Sequence, residues 1–364
     1  MGIYIGVGGV AHKVKKAYVG VGGVARKVKR VYVGVGGVAR LVFNSEPAKS
    51  ANAAPLTYAT YSMASASNNN YAIFAGGYVS ISAVNAYDSL LSKSTPTALS
   101  IGRYGFAGTS IGSYAIFGGG FNSSVLYNNV DAYDSLLTRY NPDGLRATAY
   151  YNAAASTADY AIFTGGAGNY TTYATSYSAS LVRNTAVPVS HGGNSIAGAS
   201  VGGYAMFAGG YQSNASSSGI SVYNNAQQRL TGVLGLSKDR YMLSGASIGT
   251  SYALFAGGLS TSTSKTDVVD AYNSTLTRIT LTPLSVARYS MADASLPEYA
   301  VFAGGQTINP GSTLDTVEYY DINLTRVTLT PLSAAKNSVT GAVINSQILF
   351  AGGLPSTDVV EVYQ

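Results

Sequence analysis

The stretch Tyr71-Ala-Ile-Phe-Ala-Gly-Gly77, a short apolar run that ends in two glycines, decides the fold of this 364-residue chain because it recurs. Its six further copies are Tyr114-Ala-Ile-Phe-Gly-Gly-Gly120, Tyr160-Ala-Ile-Phe-Thr-Gly-Gly166, Tyr204-Ala-Met-Phe-Ala-Gly-Gly210, Tyr252-Ala-Leu-Phe-Ala-Gly-Gly258, Tyr299-Ala-Val-Phe-Ala-Gly-Gly305 and Gln347-Ile-Leu-Phe-Ala-Gly-Gly353. The copies start 43 to 48 residues apart. A fixed period of this length indicates a repeat fold in which each unit packs against its neighbours.

Each repeat has the same order of segments. A strand rich in Tyr, Ala and Ser precedes the Gly-Gly strand, and a loop of variable length follows it. The next strand is centred on a tyrosine, at Tyr87, Tyr133, Tyr177, Tyr223, Tyr272, Tyr320 and Tyr363. The last strand carries a basic residue six positions later, at Lys93, Arg139, Arg183, Arg229, Arg278 and Arg326. Four short strands per repeat predict an all-β fold, a seven-bladed β-propeller of four-stranded blades.

The two ends of the repeat region predict how the ring closes. The seventh repeat stops at Gln364, after its third strand, so it lacks a fourth. The segment Lys49-Ser-Ala-Asn-Ala-Ala-Pro-Leu-Thr-Tyr58 is similar to the fourth-strand exit Arg278-Ile-Thr-Leu-Thr-Pro-Leu-Ser285. We therefore expect residues 44–56 to be a linker and the strand that closes the last blade, and residues 57–364 to form the propeller.

Residues 1–43 form a second module with a period of 14. Gly6-Val-Gly-Gly-Val-Ala11, Gly20-Val-Gly-Gly-Val-Ala25 and Gly34-Val-Gly-Gly-Val-Ala39 are each followed by a basic, β-branched run. That context argues against a dinucleotide-binding loop, which would open a helix. One strand and one glycine turn per repeat predict a small antiparallel meander, and the first 45 residues hold eight Lys/Arg and no acid. We expect an attachment and oligomerisation module, whose candidate contacts are Lys15, Lys16, Tyr18, Lys29, Arg30 and Tyr32.

The composition narrows the chemistry. There are 43 glycines and 30 tyrosines, but no cysteine and no tryptophan, so disulfides and thiolate metal sites are excluded. No apolar run is long enough to span a membrane as a helix, and the first residues lack the pattern of a signal peptide. We expect a protein without a signal peptide and without membrane insertion.

Residues suited to catalysis are scarce. The two histidines, His12 and His191, lack a second histidine or carboxylate at metal-ligand spacing, and we expect both to be exposed turn residues. Most acids lie at turns, such as Asp88 and Asp134, directly after the strand tyrosine. The sequence therefore predicts no metal, no cofactor and no catalytic residue. A pair of carboxylates that meets across blades for glycoside hydrolysis stays an open alternative.

The candidate binding surface is the face that carries the loops after the glycine pairs. Those loops vary in length and are rich in Tyr, Asn and Ser, a mixture typical of recognition surfaces. The connections that lead into the first strands open on the same face. The candidate ligand-binding residues are Arg103, Tyr104, Arg240, Tyr241, Arg288, Tyr289 and Lys336 in those connections, with Tyr78, Asn122, Tyr127, Tyr170, Tyr173 and Tyr211 in the loops.

Two resemblances suggest a function. The double glycine that ends an apolar strand, followed by a strand tyrosine, resembles the kelch repeat over residues 46–364, although the tryptophan of that repeat is absent. The N-terminal Tyr-Val-Gly-Val-Gly-Gly-Val-Ala-Arg-Lys-Val-Lys repeat is similar to short repeats in tail proteins of bacteriophages and prophages. Together they imply a receptor-binding protein or tail fibre, which is made in the bacterial cytoplasm without a signal peptide and belongs to a virion or a phage-tail-like particle.

In that layout the propeller binds a bacterial cell-surface polysaccharide or protein receptor, and residues 1–43 contact tail or baseplate proteins in a homo-oligomer. The alternatives are a kelch-like scaffold for protein–protein interaction and a glycan-cleaving propeller enzyme. Nucleic-acid binding by the basic module is disfavoured because few aromatic side chains, such as Tyr18 and Tyr32, could stack on bases.

Overall fold

The computed structural model describes residues 4–7, 10–13, 17–21, 24–28, 30–35, 38–44, 47–78, 81–167, 172–261, 264–307 and 312–364. In the first six of these ranges only the backbone is described. The chain divides into two compact units, Met1–Lys49 with Gln364, and Ser50–Tyr363. Within the described ranges, no helical segment has the length and apolar character that a membrane crossing requires.

The N-terminal unit consists of three antiparallel hairpins. Their strands are Tyr4–Val7 with Val10–Lys13, Ala17–Val21 with Val24–Val28, and Arg30–Val35 with Val38–Asn44. Each 14-residue repeat therefore supplies two paired strands, which corrects the expectation of one strand per repeat in a meander. The register pairs the two valines that flank each glycine pair, as in Val7 with Val10. Two short strands suit the β-branched residues on either side of the glycines better than one long strand.

The second unit is a ring of seven four-stranded antiparallel sheets, which confirms the predicted seven-bladed β-propeller. The first strands are Ala64–Ser67, Ala107–Ile111, Ala153–Ser156, Ala197–Val201, Ser244–Ile248, Ala292–Ser295 and Thr340–Ile344. The second strands are Ala72–Ala75, Tyr114–Gly118, Tyr160–Thr164, Tyr204–Ala208, Tyr252–Ala256, Tyr299–Ala303 and Gln347–Ala351. The third strands are Val84–Tyr87, Val130–Tyr133, Ala174–Ser178, Ile220–Tyr223, Val269–Asn273, Val317–Asp321 and Val360–Tyr363. The fourth strands of blades 1 to 6 are Lys93–Ser94, Arg139–Tyr140, Arg183–Ala186, Arg229–Leu230, Arg278–Thr280 and Arg326–Thr328.

Three loops after the glycine pairs carry short hairpins of their own. They are Phe121–Asn122 with Val125–Leu126, Tyr211–Gln212 with Ala215–Ser216, and Leu259–Thr261 with Ser264–Lys265.

The fourth strand position of blade 7 is occupied by the start of the unit. The backbone N–H groups of Ser50, Ala53 and Leu56 donate to the carbonyls of Val362, Val360 and Asp358 at 2.8 to 3.0 Å. The segment thus runs antiparallel to Val360–Tyr363 and covers an edge that would otherwise expose unpaired backbone groups. The first and last parts of the unit are joined by a sheet, and this closes the ring.

The core lies between the blades. Each of the seven buried apolar clusters combines residues of two adjacent blades, and one of them joins blade 7 to blade 1. The seven strand tyrosines are fully buried, with ring centroids 5.8 to 6.3 Å from the phenylalanine of the Gly-Gly strand. Each tyrosine hydroxyl donates to a carbonyl of the connection that leads into its blade, as Tyr133 does to Thr97 at 2.8 Å. This bond satisfies the one polar group that the ring carries into the core.

Five of the basic residues that follow the strand tyrosines by six positions bind the same connections as those tyrosines do. Lys93 donates to the carbonyl of Pro55, and Arg139, Arg183, Arg278 and Arg326 donate to Ala98, Gly144, Gly235 and Pro283. Each acceptor is the neighbour of the carbonyl that the strand tyrosine binds. The column therefore fixes the connection between blades, besides placing charge on the outer edge.

The glycine pairs join adjacent blades. The first glycine of each pair has φ between +63° and +85°. A Cβ on Gly76 would lie 2.5 Å from the carbonyl oxygen of Arg103, so a side chain would collide with the next blade. The second glycine donates its N–H to the same carbonyl, at 3.0 Å for Gly77 and Arg103. At the other end Gly353 donates to Thr60 at 2.9 Å, which links blade 7 to blade 1.

A closed ring of seven backbone hydrogen bonds, which we call the hub, lies where the first strands begin. The N–H of each member donates to the carbonyl of the previous blade's member at 2.6 to 3.3 Å. Its members are Ser62, Gly105, Tyr151, Ser195, Met242, Ser290 and Ser338. All seven have φ between +51° and +62°, although six of them are not glycine. Each left-handed residue costs about 1 kcal/mol, which the ring of bonds offsets.

Candidate functional site

One face of the propeller carries two columns of residues that pair blade by blade, and we call these two columns the rim. One column is the residue just before each hub member, and the other is the residue just after each glycine pair. Their backbones pair as Tyr104 with Phe121, Tyr150 with Ala167, Asn194 with Tyr211, Tyr241 with Leu259, Tyr289 with Gln306, and Asn337 with Leu354. In blade 1 the N–H of Tyr78 donates to the carbonyl of Tyr61 at 2.9 Å. The connections and the loops therefore share one face, as the sequence predicted.

Five rim residues of blades 1 to 3 and the adjoining hub residue Tyr151 form an unbroken run of aromatic ring contacts, and we call these six rings the tyrosine array. They are Tyr61, Tyr78, Tyr104, Phe121, Tyr150 and Tyr151, in order of contact. Neighbouring ring centroids lie 4.8 to 5.5 Å apart. Tyr78 and Tyr151 are about 40% exposed, and the other four are half-buried. The array places six neighbouring aromatic rings at partly exposed positions, and exposed apolar patches are where interaction sites are commonly found.

The phenol groups of the array influence one another. The pKa of Tyr104 is raised by burial and by the hydroxyls of Tyr78 and Tyr150. The pKa of Tyr61 is raised by burial, by Tyr78 and Tyr104, and by a hydrogen bond to Tyr78. Tyr61 and Tyr104 are therefore held in the neutral form, in which each hydroxyl both donates and accepts hydrogen bonds.

The rest of the rim is less aromatic. Tyr211 and Tyr241 have ring centroids 4.6 Å apart, and the pKa of Tyr241 is raised by burial and then by Tyr211 and Tyr289. Between this cluster and the tyrosine array lie Ala167 and Asn194. In blades 6 and 7 the side-chain amide of Asn337 donates to the side-chain carbonyl of Gln306 at 2.8 Å. The rim thus has one aromatic half and one mixed half.

The other predicted loop residues are placed separately. The Asn122 amide donates to the carbonyl of Gly102 at 3.0 Å, so it helps to hold its loop. Tyr127 is half-buried at the base of the same loop, where its N–H donates to the carbonyl of Gly120. Tyr173 lies under the Arg146 guanidinium, 4.7 Å from the ring centroid. Tyr170 lies outside the described residues, as do Lys15, Lys16 and Lys29 of the attachment module. Tyr18, Arg30 and Tyr32 lie on N-terminal strands whose side chains are not described.

The four basic residues assigned to the binding mouth are buried, which corrects that part of the prediction. Arg103, Arg240 and Arg288 are fully buried, and Lys336 is almost so. Their charged groups lie 2.7 to 2.8 Å from the carboxylates of Asp131, Asp270, Glu318 and Glu361 on the third strands of the same blades. The side chains turn under the rim because an unpaired buried carboxylate would be far more costly than a paired one.

The carboxylates of these ion pairs also accept backbone hydrogen bonds. The N–H groups of Ser100, Ser237, Ser285 and Ser333 donate to them at 2.8 to 3.0 Å. Burial lowers the pKa of each of the three arginines, and the neighbouring carboxylate acts in the opposite direction. These groups hold the connection against the third strand, a role that keeps them away from any ligand.

A signal for this arrangement was present in the repeats. The third-strand position two residues before the tyrosine is acidic in blades 2, 5, 6 and 7, which are the blades with a basic residue before the rim. In blades 1, 3 and 4 both positions are neutral: Thr60 with Asn85, Ala149 with Thr175, and Gly193 with Ser221. Aligning the seven repeats against one another would have shown that charge at one position requires charge at the other.

Residues suited to acid–base or metal chemistry are not assembled at the rim. Within the described part of the chain, no group of three or more His, Cys, Asp or Glu side chains could hold a metal ion. His191 is half-buried rather than exposed, with Nδ1 3.4 Å from the Ser190 hydroxyl, and burial lowers its pKa to about 4. His12 lies on the strand Val10–Lys13, where side chains are not described.

Comparison with known proteins supports the fold. No family model matches the sequence, and no curated protein matches it. Among solved structures 494 chains match, so the fold by itself does not discriminate between functions. One of them, described as "Structure of YjhT", aligns with a TM-score of 0.57 and 13% identity, over 85% of this chain and 95% of that chain. At this identity the similarity shows the β-propeller fold alone, and function has to be argued from the site.

Proposed function

We propose that this protein is a non-enzymatic binding protein whose propeller recognises a bacterial cell-surface glycan through the tyrosine array. The observation that carries the proposal is the unbroken run of six aromatic rings across three blades, with Tyr78 and Tyr151 the most exposed. The aromatic half of the rim, rather than the whole mouth, is the proposed contact surface.

The chemistry of the array suits sugars. A flat aromatic ring packs against the apolar face of a pyranose, while neutral phenol hydroxyls exchange hydrogen bonds with its hydroxyl groups. Five of the six rings in the array are tyrosines, so both kinds of contact are available from the same side chains. Because the rings continue from blade to blade, a chain of several sugars would gain contacts on successive residues.

The support for a binding role over glycan cleavage comes from the carboxylates. Hydrolysis of a glycosidic bond uses a pair of carboxyl groups that face the substrate. In blades 2, 5, 6 and 7 the third-strand carboxylates lie below the rim and are bound to Arg or Lys. They are therefore not presented to a ligand on the tyrosine array.

The N-terminal unit supports a place on a phage or phage-tail-like particle. It carries eight Lys/Arg and no acid within the first 45 residues, and its described strands pair as three two-stranded hairpins. A unit this small gains most of its stability from association. We propose that it assembles the chain into a homo-oligomer and contacts tail or baseplate proteins. Light scattering of the full chain should give a multimer, and a monomeric full chain would contradict this part of the proposal.

Binding of the full chain to bacterial cells and to arrayed surface polysaccharides tests the main proposal. The double variant Tyr78→Ala/Tyr104→Ala should lose at least tenfold in affinity, because each anchoring ring contributes about 1–2 kcal/mol. Tyr140→Ala is the matched control, since Tyr140 is equally exposed but lies on the fourth strand of blade 2. Unchanged binding by the double variant would overturn the assignment. Selective binding of a protein in place of any glycan would favour the scaffold alternative.

A further inference from the structure

The first strands of the seven blades surround a central channel with a volume of about 270 Å³. Its first level, below the hub, is formed by the residues just before the first strands, which are Met63, Phe106, Asn152, Ile196, Leu243, Met291 and Val339. The apolar side chains of this level are buried in the clusters between the blades, so the accessible wall of the channel is mostly polar. A space of this size, lined by all seven blades, could hold a small organic molecule.

The next level of the channel is made by the second residue of each first strand. Six blades place a small residue there, namely Ser65, Gly108, Ala154, Gly198, Gly245 and Gly341. Packing explains the glycines, because a Cβ on Gly108, Gly198, Gly245 or Gly341 would lie 2.0 to 2.5 Å from a carbonyl oxygen of the preceding blade. Blade 6 departs from this pattern and carries Asp293.

Asp293 gives the channel its charge. Of the twenty described residues that line the channel, it is the only one with an ionisable side chain. The backbone N–H of Gly245 donates a hydrogen bond to its carboxyl group. The strands packed against it are Ser244–Ile248, Thr340–Ile344 and Tyr299–Ala303, whose one titratable side chain is the buried Tyr299. No cation of this chain is on those strands to neutralise the carboxylate.

The surrounding protein makes the ionised form costly. Asp293 keeps part of its surface exposed, yet burial raises its pKa to about 7, and the Gly245 bond offsets only a part of that effect. A carboxylate in such a site is stabilised strongly by any positive group that comes within hydrogen-bond distance.

We propose that the central channel binds a small polar ligand that carries a primary ammonium group, with the Asp293 carboxylate as its counter-ion. This site is separate from the tyrosine array and does not depend on the proposed glycan recognition.

The channel suits an ammonium group better than a metal ion. Calcium takes roughly six to eight oxygen ligands, and Asp293 is the only carboxylate among the described residues that line the channel. The nearby hydroxyls of Ser65 and Thr340 already donate to the carbonyls of Gly341 and Met63 in adjacent blades. An ammonium group needs only one carboxylate and a few further acceptors, and the mostly polar wall of the channel can supply those acceptors.

Titration calorimetry of the full chain with ethanolamine at pH 8 tests the proposal, with ethylene glycol as a neutral probe of similar size. We expect ethanolamine to bind and ethylene glycol not to bind. Asp293→Asn should weaken ethanolamine binding at least tenfold, and so should a change to pH 5.5, where the carboxyl group is protonated. If Asp293→Asn does not fold, Asp293→Ser introduces the residue that blade 1 carries at the same level. Asp239→Asn, which changes an exposed carboxylate next to the buried Arg240, should bind like the natural chain.

Three results would overturn the proposal. The first is ethanolamine binding that persists in both Asp293 variants. The second is an equal heat of binding from sodium or potassium chloride, which would make the channel a metal-cation site. The third is the absence of ethanolamine binding at millimolar concentration in a chain whose ring is folded.

Discussion

Arg103 and Tyr104 are neighbours in one connection, yet they lie in different environments. The Arg103 guanidinium is fully buried and bound to Asp131 at 2.8 Å, whereas the Tyr104 ring lies half-buried on the rim between Tyr78 and Phe121. The same contrast holds for Arg288 and Tyr289 in blade 6. One column of the repeat supports the framework, and the column directly after it forms the surface.

The contrast teaches that charge is a poor guide to a binding face in this fold. The buried Arg and Lys side chains resemble ligand contacts in the sequence because they flank an exposed loop. Each of them is instead bound to a carboxylate of its own blade. The exposed aromatic rings carry no charge and are the groups that a ligand can reach. Framework residues should therefore change stability, and rim residues should change binding.

The largest expected effect comes from opening the ring. Deleting residues 1–56 removes the backbone bonds to Val360–Tyr363 and the burial of Leu56, and should lower the free energy of unfolding by about 5 kcal/mol. Deleting only residues 1–43 should leave the propeller folded. Denaturant unfolding of both truncations checks this, and equal midpoints for the longer deletion and the full chain would refute strand closure.

The next effect comes from breaking a buried ion pair. Arg240→Ala leaves Asp270 buried without its cation and should cost about 3–5 kcal/mol of stability. The double variant Arg240→Ala/Asp270→Thr copies the Ala149 and Thr175 combination of blade 3 and should recover at least about 2 kcal/mol of that loss. If the double variant is less stable than Arg240→Ala in urea unfolding, the two positions are not coupled as described.

A smaller effect should appear as a dependence on pH. The folded-state pKa of Asp293 lies near 7, above its ordinary value of 3.8, so its favourable contribution is present at low pH and lost as pH rises through 7. Asp293→Asn should match the natural chain near pH 4 and exceed its stability at pH 8 by about 2 kcal/mol. Unfolding free energies at the two pH values measure the difference, and a constant difference would argue against the raised pKa.

The smallest effect should come from the outer basic column. Arg183 is exposed and donates one hydrogen bond to the carbonyl of Gly144 at 2.9 Å. Arg183→Ala should cost no more than about 1 kcal/mol of stability and leave cell binding unchanged. Loss of binding in this variant, with Tyr78→Ala/Tyr104→Ala unaffected, would move the site from the rim to the outer belt.

The ring and its closure were predictable because the same sequence pattern recurs seven times. Differences in any one copy do not hide the strand positions that all copies share. The period counted the blades, the glycine pairs marked where backbones approach closely, and the missing fourth strand pointed to Lys49–Pro55. The N-terminal repeats were harder, because 14 residues fit either one strand with a long turn or two strands with a short one. Pairing decided this, and pairing depends on contacts that a short repeat does not reveal.

The candidate site was predicted in part. The shared face and the members Tyr78 and Tyr104 followed from the loop pattern, whereas Tyr61, Phe121, Tyr150 and Tyr151 were missed. Their direction depends on the left-handed residue of the hub, which no propensity indicates at Tyr151 or Ser62. The direction of Arg103 was wrong for a related reason, since one residue of offset at a turn moves a side chain from the surface into the core.

The hub fixes the length of one segment of each repeat and leaves the length of another segment free to vary. From hub member to first glycine the spacing is 14 residues in six blades and 15 in blade 5, because each link needs both of its neighbours in place. From second glycine to strand tyrosine the spacing ranges from 10 to 15 residues. Insertions and deletions between the second glycine and the strand tyrosine leave the hydrogen bonds of the hub unchanged. Related chains can therefore differ in these loops, and with them in the surface that meets a ligand, while they keep the same propeller framework.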